Sequence, residues 1–437
     1  MYPPIVDYLK DKSVLLVGFG REGQSSYQYI RSHLPEKKLT IADKNPLSVD
    51  DPLVTLICGD NYLDTVNQYD VVLKSPGISF KTVEIEPGTE VTCQVDLFLR
   101  FAPCRKVGVT GSKGKTTTST LTYEMLKAAK KDCRLIGNIG VPVFSSLEGL
   151  TKDTIAVIEM SSHQLEFTHA SPEVAVLTNL YEEHLEHYKG GFKGYAAAKF
   201  HIAQYQKPDD LFLYNATQGL PEILDFSAVQ SEKVGICADA PLPFEIQNEH
   251  LAGIHNRQDI LFAMAAAKHF GATDKDCEHA VHNYKGIEHR MEKVGTFHGI
   301  TFYNDCIATI PHAVLCAVDA LKTVDTLIVG GKDRGLHYGD FEKALEKSDI
   351  TNIIGTPDTG ISIVRAMKKA GTSKNAVEAR DLPEAVRLAY KLTAKGKICL
   401  LSPAASSYNV YKNFEEKGKH YKALVRQYGE AGENNPE

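Results

Sequence analysis

The sequence predicts an α/β protein of three domains built on parallel sheets. Length is one reason: 437 residues exceed what a single hydrophobic core organises, since domains run to roughly 100–200 residues. Pattern is another, because short β-branched runs alternate with longer stretches of helical periodicity. The third is punctuation: glycine-rich turns follow directly on two of the runs, at Gly18–Gly23 and Gly111–Thr116.

Taken in order, Ser13–Gly18, Leu39–Ala42 and Val71–Lys74 read as buried strands of a first domain, residues 1–95. Lys106–Thr110, Ile155–Glu159 and Val174–Asn179 read as strands of a second, residues 96–288. Gly299–Tyr303, Thr326–Gly330, Asn352–Gly355 and Lys397–Ser402 supply a third, residues 289–437. Glu90–Arg105 is expected to connect the first pair of domains, and Gly286–Glu292 to act as a hinge before the last.

Composition narrows the function classes. A net charge of −6 argues against a general nucleic-acid binder, which needs a basic surplus. The longest apolar runs are strand-sized, so no membrane span is expected. Met1-Tyr-Pro-Pro4 lacks the basic-then-apolar pattern of an export signal. The nine cysteines are scattered without a CxxC, which fits reduced thiols, most of them buried small residues, in a cytoplasmic protein. A monomer acting on small molecules is the expectation.

Gly108-Val-Thr-Gly-Ser-Lys-Gly-Lys-Thr-Thr117 lies between an apolar strand and a helical stretch, the setting a phosphate-binding loop requires. Its glycines let backbone N–H groups turn toward phosphates, and the helix N-terminus adds a favourable dipole. Gly111, Ser112, Lys113, Gly114, Lys115, Thr116 and Thr117 are therefore candidate ATP contacts. Lys115 is placed to reach the β- and γ-phosphates, and Thr116 to offer its hydroxyl to Mg²⁺. The spacing departs from the strict Gly-x4-Gly-Lys form, because position 109 is Val.

Other residues are more ambiguous alone. Gly18-Phe-Gly-Arg-Glu-Gly23 follows a strand, with Asp43 after the next one, and would suit a dinucleotide. That pattern does not fix the ligand. Glu159 ends a strand beside the loop, where a carboxylate could hold Mg²⁺ or a bridging water. His184, in Glu182-Glu-His184, reads as hydrogen-bonded or exposed, since imidazole is an unusual Mg²⁺ ligand. Lys199, in Ala196-Ala-Ala-Lys-Phe200, reads as a solvated lysine on a helix.

Several segments together carry a resemblance. Gly111-Ser-Lys-Gly-Lys-Thr-Thr117 closely resembles the ATP loop of the Mur ligases, the amino-acid-adding enzymes of peptidoglycan synthesis. Gly137-Asn-Ile-Gly140, Glu159-Met-Ser-Ser-His-Gln-Leu-Glu166, Asn179-Leu-Tyr-Glu-Glu-His-Leu185 and Gly253-Ile-His-Asn256 agree in order. So do Ser402-Pro-Ala-Ala-Ser-Ser-Tyr408 and Lys412-Asn-Phe-Glu-Glu-Lys-Gly418, and the set covers nearly the whole chain.

The resemblance implies a Rossmann-like N-terminal domain, a central P-loop ATPase-like parallel sheet and a Rossmann-like C-terminal domain. It implies a ligase joining glutamate, expected as the D isomer, to UDP-N-acetylmuramoyl-L-alanine through an acyl phosphate, with ATP and Mg²⁺ at two sites. Lys115, Glu159, His184 and Lys199 then become catalytic. The metal-holding set is Thr116, Glu159, His184 and Lys199, the lysine carrying a CO₂-derived carbamate. Gly20, Arg21, Asp43, Lys44, Ser75, Gly77 and Asn138 match UDP-substrate positions. Asn256, Arg290 and Asp305 match nucleotide positions, and Thr309, Arg334, Ser407 and Phe414 match glutamate positions.

One departure stands out. Family members often carry Asp-Ser-Lys-Ala-Thr-Asn where this chain has Asp305-Cys-Ile-Ala-Thr-Ile310, so Ile307 replaces a cation; Tyr408 replaces a smaller residue. Both bear on whether D- or L-glutamate is taken. Competing readings are a nicotinamide-dependent oxidoreductase, which leaves the phosphate loop without purpose, and a nucleotide-binding regulatory module, which has no need of Glu159, His184 and Lys199. A folylpolyglutamate- or cyanophycin-type ligase would share the ATP loop.

Overall fold

Runs such as Val14-Leu-Leu-Val17 and Ile155-Ala-Val-Ile-Glu159 are buried along their whole length, which suits inner strands covered on both faces. They sit in a computed structural model that describes residues 4–139, 142–251, 253–333, 337–407 and 409–430. The chain divides into two units, Met1–Lys285 and Gly286–Glu437.

The first unit holds two sheets. One contains β1 (Val14–Val17), β2 (Leu39–Asp43), β3 (Val54–Cys58), β4 (Val71–Lys74) and β5 (Glu90–Thr92). All pair in parallel, in the order β3-β2-β1-β4-β5. The order reverses between β1 and β4, so their carboxyl ends flank the crevice where open α/β sheets take ligands. The segment between the two sheets, Glu90–Arg105, also supplies edge strand β5 and the amphipathic helix Gln94–Phe101.

The other sheet contains β6 (Arg105–Thr110), β7 (Cys133–Gly137), β8 (Ile155–Glu159), β9 (Val174–Leu177), β10 (Leu211–Asn215) and β11 (Glu232–Ile236). It too is parallel, in the order β11-β10-β9-β6-β8-β7. The ends of β6, β8 and β9 therefore meet at one edge. A single apolar core joins the sheets: Leu16, Ile30, Phe98, Phe144, Ile158 and Leu177 all belong to it. Tyr29 packs on Phe144 with ring centroids 4.8 Å apart, and Cys93 Sγ donates to the Gln164 carbonyl at 3.1 Å.

The second unit contains β12 (Glu292–Phe297), β13 (Ile300–Asn304), β14 (Val324–Val329), β15 (Asn352–Gly355), β16 (Asn375–Glu378) and β17 (Ile398–Leu401). Their order is β12-β13-β17-β14-β15-β16, parallel except for the β12–β13 pair. Separate cores cover the two faces, one around Leu327 and Val364, the other around Phe302 and Tyr421. Among the described residues, no helix is long and apolar enough to cross a membrane.

Candidate active site

β6 ends at Thr110, and the chain curls through Gly111 (φ +149°) and Gly114 (φ +82°) into the helix Lys115–Ala128. Neither glycine has room for a side chain. A Cβ on Gly111 would fall 1.9 Å from Thr178 Oγ1, and one on Gly114 would fall 2.4 Å from Asp259 Oδ1. The loop is also held from outside. The Ser112 and Lys113 N–H groups donate to the Asn179 carbonyl at 3.0 Å and its Oδ1 at 2.7 Å. The Thr178 hydroxyl donates to the Lys113 carbonyl at 2.6 Å, and Ser112 and Tyr195 hydroxyls lie 2.7 Å apart. Such bracing prepares a phosphate cradle before the ligand arrives.

Lys115 Nζ donates to the carbonyls of Gly111 at 2.9 Å and Ser112 at 3.0 Å, so the ammonium lies back across its own loop. Lys113 pairs with Glu183 at 2.5 Å. Beside the loop, β8 ends at Glu159, which is 1% exposed. Asn138, after β7, donates to Glu159 Oε1 at 2.7 Å, while buried Oε2 has no hydrogen-bonding partner among the described residues. A buried carboxylate oxygen without a donor is costly unless a cation completes it. The donor set, carboxylate oxygen with the Thr116 hydroxyl in the first turn of the helix, fits a hard divalent ion. Asn138, matched to the UDP-substrate group by resemblance, thus stands at this edge and not with the first sheet.

Lys199 corrects the reading from residues alone. It is 2% exposed, on the helix Phe192–Gln204, with Nζ donating to the Gly111 carbonyl at 2.8 Å and Thr110 Oγ1 at 3.3 Å. The alanines around it were uninformative because they serve close packing: Ala196, Ala198 and Ala203 are buried too. Burial, with Lys115 nearby, holds the Lys199 amine well below the ordinary lysine range. His184 is exposed and adopts a left-handed backbone, φ +54°.

The first-sheet candidates gather at the carboxyl ends of β1, β2 and β4. Phe19 N donates to Asp43 Oδ2 at 2.8 Å, and the Ser75 hydroxyl donates to the Gly18 carbonyl at 2.8 Å. A Cβ on Gly23 would lie 2.0 Å from the Gly18 oxygen, whereas Gly20 and Gly77 face open space. Arg21 and Lys44 are exposed, Lys44 lying 3.8 Å from Asp60. This edge meets the His184 segment directly. Ser79 donates to the His187 carbonyl at 2.9 Å, and buried Lys74 sits 3.1 Å from Glu166.

Sequence reading missed two residues here. His163, in the turn after Glu159, has its ring centroid 4.9 Å from that of His184 and 4.1 Å from that of His187. Burial and the two neighbouring imidazoles push it down to about 3. Asp259 lies on the helix Ile254–His269, one turn beyond Asn256 and on the same face, against Gly114. Burial pushes its carboxyl up to about 8. The i, i+3 spacing of Asn256 and Asp259 was the available signal for the second.

In the second unit, Asp305 follows β13 and accepts from Ser402 Oγ at 2.7 Å and Met291 N at 3.1 Å. Burial pushes it up to about 6. Arg290 is exposed between His289 (φ +64°) and Met291 (φ +43°). Ser407 is buried with its hydroxyl unpartnered among the described residues. Phe414 opens the final helix, its ring 6.0 Å from His289. Thr309 and Ile307 are half-buried in the loop after Asp305. Arg334 and Tyr408 lie outside the described residues. Buried Lys417 donates to the Gly330 carbonyl at 2.7 Å.

Comparison with known proteins follows the same division. Residues 109–253 match the Mur ligase middle domain, and residues 289–405 match the Mur ligase glutamate ligase domain. A UDP-N-acetylmuramoylalanine–D-glutamate ligase of Clostridium botulinum (strain Langeland) is 32% identical, the match covering 96% of this chain and 97% of the relative. One from Symbiobacterium thermophilum is 32% identical over 85% of this chain and 87% of its own. Among solved structures, UDP-N-acetylmuramate–alanine ligase of Thermotoga maritima superposes with a TM-score of 0.55 at 18% identity, covering 95% of this chain and all (100%) of the other. A MurF ligase from Thermotoga maritima in complex with ADP gives 0.52 at 15% identity, covering 96% and 97%. These structures share the three-domain α/β fold. The chain belongs to the Mur ligase family, the ATP-dependent amino-acid ligases of peptidoglycan synthesis.

Proposed function

We propose that the chain joins D-glutamate to UDP-N-acetylmuramoyl-L-alanine, using domains at residues 1–95, 96–288 and 289–437 for UDP-substrate, ATP and glutamate. The observation that carries the reading is Lys199: a buried amine hydrogen-bonded to the phosphate loop and close to a carboxylate with an unsatisfied oxygen. The names of the matched relatives favour glutamate, and their substrate is the natural first choice.

A carboxylate is a poor acyl donor because oxide is a poor leaving group. Transfer of the γ-phosphoryl group of ATP to the alanyl carboxylate makes an acyl phosphate and releases ADP. The glutamate amine attacks the acyl carbon, the C–O bond to phosphate breaks, and the amide forms with loss of a proton. The backbone N–H groups where the loop enters the helix, Gly114–Thr116, and the Lys115 ammonium orient the phosphates and spread their charge. Bound Mg²⁺ would neutralise phosphate charge during transfer. Thr116 and Glu159 are proposed to hold one such ion, and His184 with the Lys199 carbamate the second. Burial and the nearby Lys115 hold the Lys199 amine well below the ordinary lysine range, which favours the free lone pair that carbamate formation with CO₂ needs. No protein nucleophile enters the scheme; positioning does the work.

In the second unit, Thr309, Arg334, Ser407 and Phe414 are proposed to face glutamate, and Arg290 and Asp305 the nucleotide. Phosphate release measured with UDP-N-acetylmuramoyl-L-alanine, ATP and either glutamate isomer tests the scheme. Turnover with D-glutamate is expected. Turnover with L-glutamate alone would reassign stereochemistry to the Ile307 loop, and turnover with neither would refute the substrate.

A further inference from the structure

We propose that His163 is a second imidazole ligand of the cation held by His184, so that this site favours Mn²⁺ over Mg²⁺. The inference rests on the reading of His184 as a metal ligand. Two imidazoles bound to one ion at about 2.1 Å and about 90–110° apart place their ring centroids roughly 4.5–5.2 Å from each other. The observed separation of the His163 and His184 centroids is 4.9 Å, with ring planes inclined by 60°.

The surroundings hold His163 in place without using its nitrogens. Tyr188 stacks on it at 5.7 Å with the planes 20° apart, and His187 meets it edge-on at 4.1 Å. His187 is in turn fixed by Glu166 Oε2 at 3.3 Å, and Glu166 by Lys74 at 3.1 Å. The His163 ring nitrogens make no hydrogen bond among the described residues, while His184 beside it is exposed.

The chemistry follows from donor type. Mg²⁺ strongly prefers oxygen and keeps its waters, so each added nitrogen weakens its advantage. Mn²⁺ accepts oxygen and imidazole together and stands on the rising series of affinities for nitrogen-containing sites. A site offering two imidazoles therefore selects Mn²⁺ over Mg²⁺ more strongly than one offering a single imidazole.

The test uses the full chain labelled with ¹⁵N-histidine, loaded with Mn²⁺ and a non-hydrolysable ATP analogue. Pulsed electron paramagnetic resonance counts the histidine nitrogens on the ion. Two couplings are expected in the native protein and one in His163→Phe, which keeps a ring in the packing; His163→Gln serves as a second variant. The ratio of Mg²⁺ to Mn²⁺ dissociation constants should fall about tenfold in both variants. One coupling in the native protein, lost in His184→Ala, overturns the role of His163 while leaving His184 a ligand. No coupling in the native protein overturns both.

Discussion

The amide of Asn138 holds one oxygen of Glu159 at 2.7 Å and leaves the other, equally buried, without a donor among the described residues. The side chains come from the ends of strands β7 and β8, which are neighbours in the sheet. Asn138 thus fixes the direction in which the unsatisfied oxygen points. Asn138→Ala should leave the fold intact but raise the Mg²⁺ concentration needed for half-maximal phosphate release about 10–100-fold. A Mg²⁺ titration at saturating substrates measures it, and an unchanged requirement would remove Asn138 from the metal site.

Lys199 supplies a second prediction. Lys199→Ala should lower turnover at least about 100-fold, because the group positioned beside the phosphate loop is lost. Carbamate formation makes a more specific demand: rigorous removal of CO₂ should slow the native enzyme and added bicarbonate restore it. ¹³C NMR of protein equilibrated with ¹³CO₂ should show one carbamate signal that vanishes in Lys199→Arg. Persistence of that signal in the variant would place the modification elsewhere.

Gly111 tests the loop geometry. An alanine there must adopt φ near +149° and thrust its methyl to within 1.9 Å of Thr178 Oγ1. Gly111→Ala should cost about 2 kcal/mol or more in stability and weaken ATP binding, as the cradle opens to relieve the overlap. Urea unfolding and calorimetric titration with ATP read the two effects separately. Gly20→Ala, at a position with nothing within 4 Å, is the control and should change stability little.

Asp259 predicts a pH dependence. Its folded value, about 8, lies above its ordinary 3.8, so between those limits the folded protein binds more protons than the unfolded chain. Stability from this group is therefore greatest below about pH 4, declines as pH rises through the window, and levels off above about pH 8. Asp259→Asn removes the ionisable group while keeping the shape beside Gly114. It should stabilise the first unit by a few kcal/mol at pH 8 and hardly at all near pH 4. Equal effects at the two pH values would show that the carboxyl is not strained by burial.

Much of the fold was legible because inner strands of parallel sheets are continuous apolar runs. Val71–Lys74, Ile155–Glu159 and Asn352–Gly355 have the bounds read from the sequence. The strands missed were mostly at or near sheet edges. Cys133–Gly137, Glu232–Ile236 and Asn375–Glu378 are only partly buried, so polar residues interrupt their pattern. The site divided in a similar way. The phosphate loop is local in sequence and declared itself, whereas the burial of Lys199 depends on a helix packing across strands some ninety residues earlier. His163 and Asp259 gain their meaning only from partners brought in by the fold, His184 and Gly114.

The shared core of the first unit carries a consequence for dissecting the protein. Leu16 and Ile30 of the first sheet belong to the same apolar cluster as Ile158 and Leu177 of the second. A fragment ending near residue 95 would present that face to water and should precipitate or remain molten. Residues 4–285 should melt in a single calorimetric transition. Heredity meets the same constraint: the first sheet cannot be exchanged for a foreign one unless the helix Gln94–Phe101 and the segment around Phe144 travel with it.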